Sequence, residues 1–150
     1  MHRVLPAFCS AVLFGAIAFV AALTLTKPAE ADMALYEGKN RPLIIFTPYK
    51  RYPAFMRQLR LLGGRGARIR ERDMVVVLVV GDRVSSQYGP KPATTASELR
   101  KTYGVAEDAF SMFLVDKDTT VKHSFDGPIT AEILFVEIDA FPSRQEELQN

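Results

Sequence analysis

The chain has 150 residues, of which 48% are hydrophobic, and its 19 basic and 17 acidic side chains give a formal net charge of +2. This length suits one domain, and a charge so close to balance gives no support for nucleic-acid binding. Cys9 is the single cysteine. Residues 32–150 therefore contain no cysteine, which excludes thiol catalysis and thiolate metal sites from that part of the chain.

The first 31 residues have the pattern of a secretory signal peptide. Met1-His2-Arg3 is a short basic start, residues 4–26 form an apolar run, and Ala29-Glu30-Ala31 offers the small residues that signal peptidase requires. We expect cleavage after Ala31, which leaves residues 32–150 as one periplasmic or secreted domain. In the alternative, residues 4–26 are an uncleaved anchor, because they are long enough to cross a bilayer of about 30 Å, and the domain again lies outside the cytoplasm.

The first half of the domain predicts a β-α-β unit. The apolar runs at residues 43–46 and 74–80 are typical of buried strands. Residues 53–71 between them predict an amphipathic helix, with Pro53 in its first turn and glycines at 63, 64 and 66 where it can break in two. One face of this helix carries five arginines: Arg57, Arg60, Arg65, Arg68 and Arg72.

The second half predicts a helix, a strand hairpin and a last helix. After a polar loop over residues 81–92, Thr95 and Glu98 form a capping box that begins a short helix. Residues 111–115 and 121–125 predict two strands joined by a short turn. The last helix is expected to begin with Thr130 as its cap and to end at Pro142. Its predicted buried positions are Ile133, Leu134, Ile138 and Phe141.

The predicted order of elements is β-α-β-α-β-β-α. This order defines an α/β fold of thioredoxin-like topology, a central mixed sheet with helices on both faces. Two segments also resemble thioredoxins directly: Tyr103-Gly104-Val105 with residues 110–121, and Arg51-Tyr52-Pro53-Ala54, which falls where thioredoxins carry Cys-Gly-Pro-Cys. Because Arg51 and Ala54 replace the two cysteines, the resemblance implies the fold without the redox activity.

Residues 32–150 as a whole more closely resemble the family catalogued as domain of unknown function 4174. The matching stretches are residues 40–43, 71–74, 117–118, 121–122 and 138–144, with Phe110, Leu114 and Glu147. Thr119-Thr120 stands where the family usually has two glycines. The resemblance implies an exported domain of thioredoxin-like, peroxiredoxin-related fold that occurs alone in bacteria and within some vertebrate extracellular-matrix proteins. It implies no settled activity.

The arginine face has two interpretations. Clustered guanidinium groups can bind a polyanion or an anionic lipid surface. A solvated helix face whose arginine stems cover apolar surface explains the same pattern. We favour the solvated face, because Glu71 and Asp73 lie close enough in the sequence to neutralise part of the charge.

The candidate ligand-binding residues are Arg51, Arg72, Lys122, Asp139 and Arg144. Arg51 lies at the usual active-site corner of the fold, near a helix N-terminus that would favour an anion. Asp139 and Arg144 are expected to lie, together with Glu147, around the end of the last helix, where Arg72 or Lys122 could reach them. There they form either a binding site or an ion-pair network that fixes the C-terminal tail, and we favour the network.

The sequence predicts no catalytic residue, metal site or cofactor, because His123 stands alone in the domain and no nucleophile–base pair is visible. The favoured function is a non-catalytic binding module for an anionic ligand or a protein partner. One alternative is an enzyme with cysteine-independent chemistry at Arg51 and the C-terminal polar cluster. The other is a purely structural domain of the cell envelope. No nucleic-acid partner is expected, and membrane contact is expected only through an uncleaved N-terminal segment.

Overall fold

The computed structural model of the protein describes residues 33–150, so the predicted signal peptide of residues 1–31 lies outside the described residues. The strands are β1 (Arg41–Thr47), β2 (Met74–Val80), β3 (Arg83–Gln87), β4 (Ser111–Val115) and β5 (Val121–Phe125). The helices are α1 (Pro53–Leu62), α2 (Gly66–Glu71), α3 (Ala96–Tyr103), α4 (Ala131–Asp139) and α5 (Pro142–Gln149). No helix within residues 33–150 is long and apolar enough to cross a membrane.

β1 is the central strand of a five-stranded mixed sheet with the order β3-β2-β1-β4-β5. β1 and β2 are parallel, and every other neighbouring pair is antiparallel. This arrangement is consistent with the predicted thioredoxin-like α/β fold. Because β1 and β2 run in the same direction, one end of the sheet, the amino end, collects their first residues. The opposite end, the carboxyl end, collects their last residues.

Both faces of the sheet are covered. Successive residues of a strand point to opposite faces, and every residue of β1 is buried. Leu43 and Ile45 belong to a core that includes apolar side chains of α1, α2 and α4, whereas Ile44 and Phe46 belong to a second core with α3. Both cores and the five-stranded sheet are formed by residues of the described range 33–150.

Several local predictions are confirmed. The long helix expected over residues 53–71 breaks between Leu62 and Gly66 into α1 and α2. Thr95 and Glu98 form the capping box at the start of α3. Thr130 caps α4 through its side chain, and β4 and β5 form an antiparallel hairpin.

Three local predictions are wrong. The polar loop expected after residue 81 contains β3, an edge strand with alternating exposure. Pro142 does not simply end the last helix, because it occupies the first turn of α5, where proline is well tolerated. Ile133 is 48% exposed, and Phe135 is buried in its place at 1% exposure. The mostly apolar sequence of α4 offers more than one possible buried stripe.

Candidate functional site

At the amino end of the sheet, Arg41 is the centre of a buried ion-pair network. Its side chain is 0% exposed, and its Nε donates to Asp116 Oδ1 at 2.9 Å. Its Nη2 donates to Glu147 Oε1 at 2.8 Å and to Ser143 Oγ at 2.8 Å. Arg41 therefore ties the first residue of β1 to the end of β4 and to α5.

Glu147 is the carboxylate that the most cations share. It accepts from Arg41, from Lys117 Nζ at 2.7 Å and from Arg144 Nη1 at 3.2 Å. Burial raises the pKa of Glu147, but these hydrogen bonds outweigh it and lower the pKa to about 2. The side chain therefore remains ionised throughout the neutral and mildly acidic range, with its charge matched by three cations.

Arg72 and Arg144 extend the network to the end of α4. Arg72 donates to both carboxylate oxygens of Asp139, at 2.9 and 2.7 Å, and its guanidinium lies over the Phe135 ring at 4.6 Å. Arg144 Nη2 lies 3.4 Å from Glu71 Oε1. Arg72 is only 6% exposed, so its predicted place on the solvated arginine face is wrong. Arg72 directly follows α2 and lies three residues after the buried Ile69, a spacing that places two side chains on the same side of a helix.

The structure brings together Arg72, Asp139 and Arg144, as the predicted network requires. Lys122 does not join them, because its Nζ pairs with Asp118 in the β4–β5 hairpin at 2.7 Å. Arg51 is exposed beyond the carboxyl end of β1. The seven residues of β1 separate it from the network, by roughly 20 Å at about 3.3 Å per residue. The two halves of the site that the enzyme alternative requires therefore lie apart.

Charge pairing within the network suits a structural role. Among the described residues, each of its carboxylates lies at ion-pair distance from at least one cation of the network. A buried pair of this kind is costly to break, because one lost partner leaves an uncompensated buried charge. We therefore interpret the network as a clamp that holds α5 against the sheet.

The carboxyl end of the sheet carries a cavity of about 450 Å³. It is lined by residues that directly follow β1 and β2 and by the start of α3. Ligand sites in open α/β sheets commonly lie outside the carboxyl ends of the parallel strands. The lining residues are Pro48, Gly81, Asp82, Thr95, Ala96, Ser97, Arg100 and Glu107.

Arg100 is the one cationic side chain of this lining, and it is only 6% exposed. Its Nη2 donates to the Thr47 carbonyl oxygen at 2.8 Å and its Nη1 to the Ala106 carbonyl oxygen at 2.9 Å. Within residues 33–150, no carboxylate lies at ion-pair distance from it. Burial lowers the pKa of Arg100, and the charge of Glu107 acts in the opposite direction. The guanidinium also lies over the Phe46 ring, 5.6 Å from its centroid, so it is a buried positive charge held in place by two carbonyl groups and an aromatic ring.

The start of α3 adds a second favourable feature for an anion. Ala96 and Ser97 are its first two residues, and the first N–H groups of a helix have no partner within the helix. The positive end of the helix dipole lies at the same place. Three carboxylates oppose a strongly charged anion: Asp82 and Glu107 are exposed in the lining, and Glu98 accepts from the Thr95 N–H at the start of α3. The arrangement therefore favours a ligand with a single negative group.

Arg41 and Arg100 were not among the site residues predicted from the sequence. Arg41 appeared only within the family-matching stretch 40–43, and its ion pairs gave no sequence signal because Asp116 and Glu147 lie 75 and 106 residues further along the chain. For Arg100 the sequence offered a partial signal. The capping box at Thr95 fixes where α3 begins, and Arg100 directly follows Leu99, which the sequence predicts to face inward. Within residues 33–150, no group of three or more His, Cys, Asp or Glu side chains is placed to hold a metal ion.

The fold and these sites define an α/β domain with a five-stranded mixed sheet, a charged clamp at one end and a cavity at the other. Residues 32–147 match the family described as "Domain of unknown function (DUF4174)". The chain belongs to this family, as the resemblance noted in the sequence predicted.

Two curated relatives align over most of the domain. The chain is 31% identical over 128 residues to the Sushi repeat-containing protein SRPX of Rattus norvegicus, and 32% identical over 126 residues to that of Homo sapiens. Each alignment covers 81% of this chain and 27% of the relative. The chain thus spans about a quarter of the length of the curated relatives it matches. No solved structure matches the chain.

Proposed function

We propose that this protein is an exported, non-redox binding module that holds the anionic group of a small ligand in the cavity at the carboxyl end of the sheet. Arg100 carries the proposal. A buried charge is normally paired with an opposite charge, whereas this guanidinium lines an open cavity and donates to the carbonyl oxygens of Thr47 and Ala106, with no carboxylate of residues 33–150 at ion-pair distance. A bound carboxylate or similar group would supply the missing countercharge.

The absence of cysteine from residues 32–150 supports binding rather than thiol catalysis. Arg51 and Ala54 stand at the start of α1, where a thioredoxin carries its cysteines, and residues 32–150 have no cysteine. A module role also agrees with the relatives, in which the matching stretch is 27% of a longer protein. Export rests on the signal-peptide pattern of residues 1–31.

The two acidic residues of the lining set the expected ligand class. Asp82 and Glu107 would repel a group with several negative charges, such as a polyphosphate, whereas one carboxylate can pair with Arg100 and with the N–H groups at the start of α3. We therefore propose a small monocarboxylate as the ligand.

Isothermal titration calorimetry of residues 32–150 with a panel of small monocarboxylates tests the proposal. Binding should be lost in Arg100→Gln and kept in Lys101→Gln, the matched control with an exposed cation one residue further along α3. Because Arg100→Gln also loses hydrogen bonds to Thr47 and Ala106, its fold is checked by circular dichroism.

Asp82→Asn gives a second test that does not depend on Arg100. Removing this negative charge should tighten binding of an anion several-fold, since Coulomb repulsion falls. If Asp82→Asn instead weakens binding, the ligand is held through a positive group, and the proposal is wrong.

A further inference from the structure

The segment that contains α1 and α2 is strongly basic. Residues 50–70 hold seven basic side chains and no acidic one, in a chain whose formal net charge is only +2. The rest of the chain is therefore acidic on balance. Such an asymmetry creates a local positive potential that the overall charge conceals.

The structure divides these seven cations into two groups. Three have defined partners: Arg65 pairs with Glu132 at 2.9 Å, Arg68 lies over the Phe135 ring at 4.6 Å, and Arg70 lies over the Tyr88 ring at 5.6 Å. The other four are exposed and form no ion pair with any residue of the described range 33–150. They are Lys50, Arg51, Arg57 and Arg60.

Two exposed apolar side chains lie among these four cations. α1 buries Phe55, Gln58 and Leu62, and at about 100° per residue Arg57 and Arg60 lie on the opposite face. Met56 is on the flank of that face and is 37% exposed. Tyr49, just before α1, is 55% exposed, and its ring meets the Tyr52 ring edge-on at 5.4 Å. We call Tyr49, Lys50, Arg51, Met56, Arg57 and Arg60 the α1 face.

We propose that the α1 face binds the surface of a membrane that contains anionic phospholipids. Guanidinium groups pair bidentately with phosphate oxygens, and clustered cations bind an anionic leaflet through its surface potential. Tyr49 and Met56 favour a lipid surface over a sulfated polysaccharide, because amphipathic and apolar side chains gain from partial insertion at the headgroup boundary. This contact depends on different residues from those lining the cavity, so it does not rest on the function proposed above.

Co-sedimentation with vesicles tests this inference on residues 32–150, which include every strand and helix described above. Binding is measured with vesicles of phosphatidylcholine alone and of phosphatidylcholine mixed with phosphatidylglycerol, at low and at physiological salt. We expect salt-sensitive binding to the mixed vesicles only. Binding that is equal for both vesicle types would overturn the inference.

Paired substitutions locate the contact. Each cation near an anionic surface contributes about a fivefold change in partitioning, so Arg57→Gln with Arg60→Gln should lower the partition coefficient about 25-fold. The control, Arg83→Gln with Lys101→Gln, removes the same charge from exposed positions on β3 and α3, and should lower it far less. Equal losses in the two double variants would show a net-charge effect and would refute the α1 face.

The apolar part of the face has its own test. Tyr49→Ser with Met56→Ser should weaken vesicle binding several-fold and leave binding to heparin, a sulfated polysaccharide, unchanged. If residues 32–150 bind heparin but not the mixed vesicles, the face recognises polysaccharide and the membrane proposal is wrong.

Discussion

Replacing Glu147 by glutamine tests the charged clamp quantitatively. The pKa of Glu147 is about 2 in the folded protein, against an ordinary value of 4.5. At about 1.36 kcal/mol per pKa unit, this difference corresponds to roughly 3 kcal/mol of folding free energy. Because the side chain is 27% exposed, solvent weakens the effect only in part. We expect Glu147→Gln to lose about 2–3 kcal/mol at neutral pH, in line with the cost of breaking a buried pair.

The pH dependence has a defined direction. The folded-state pKa lies below the unfolded-state value, so the stabilisation is present above pH 4.5 and is lost as the pH falls toward 2. Urea denaturation followed by circular dichroism at several pH values between 7 and 2 measures both effects. The unfolding free energies of the wild type and of Glu147→Gln should differ most at neutral pH and become nearly equal near pH 2.

A neighbouring carboxylate supplies the control for this experiment. Glu146 precedes Glu147 on α5, is exposed, and forms no ion pair with a residue of the described part of the chain. Glu146→Gln should change the unfolding free energy by less than about 0.5 kcal/mol. The clamp does not stabilise α5 in the way described if Glu147→Gln changes the unfolding free energy as little as Glu146→Gln does. The same conclusion follows if Glu147→Gln is still less stable than the wild type at pH 2.

Three further substitutions have expected effects on stability, each measured as the unfolding free energy in urea. Thr119 has a φ of 63° in the β4–β5 turn, which is costly for a β-branched residue, so Thr119→Gly should stabilise by about 1 kcal/mol; a loss would contradict this geometry. Thr95→Ala removes the capping box of α3 and should cost about 1 kcal/mol; no change would show that Glu98 caps the helix without it. Lys122→Gln breaks a surface pair with Asp118 and should change stability by less than about 0.5 kcal/mol, whereas a larger loss would place Lys122 in the clamp after all.

The sequence predicted those elements whose signals are local. The apolar runs that became β1 and β2, the caps at Thr95 and Thr130, and the glycines that divide α1 from α2 each act within a few residues. β3 escaped prediction because Arg83–Gln87 contains a single apolar residue. Its pairing with β2, rather than its composition, makes it a strand.

The sites were less predictable, because their residues meet only in the folded chain. The polar cluster of Asp139, Arg144 and Glu147 was visible as a dense group near the end of the chain. Its buried centre, Arg41, lies about a hundred residues away from Glu147. Arg100 makes its hydrogen bonds to backbone carbonyls of Thr47 and Ala106, which carry no sequence signal.

We propose above that the cavity beside Arg100 binds an anionic group. The most direct measurement is an NMR titration of isotopically labelled residues 32–150 with a monocarboxylate that stabilises the protein. Anion binding in this cavity predicts saturable shifts at the Gly81 and Ser97 amides and at the Arg100 side chain, all of which line the cavity. Shifts confined to Arg51 and α1, or no saturable shift in the cavity, would contradict it.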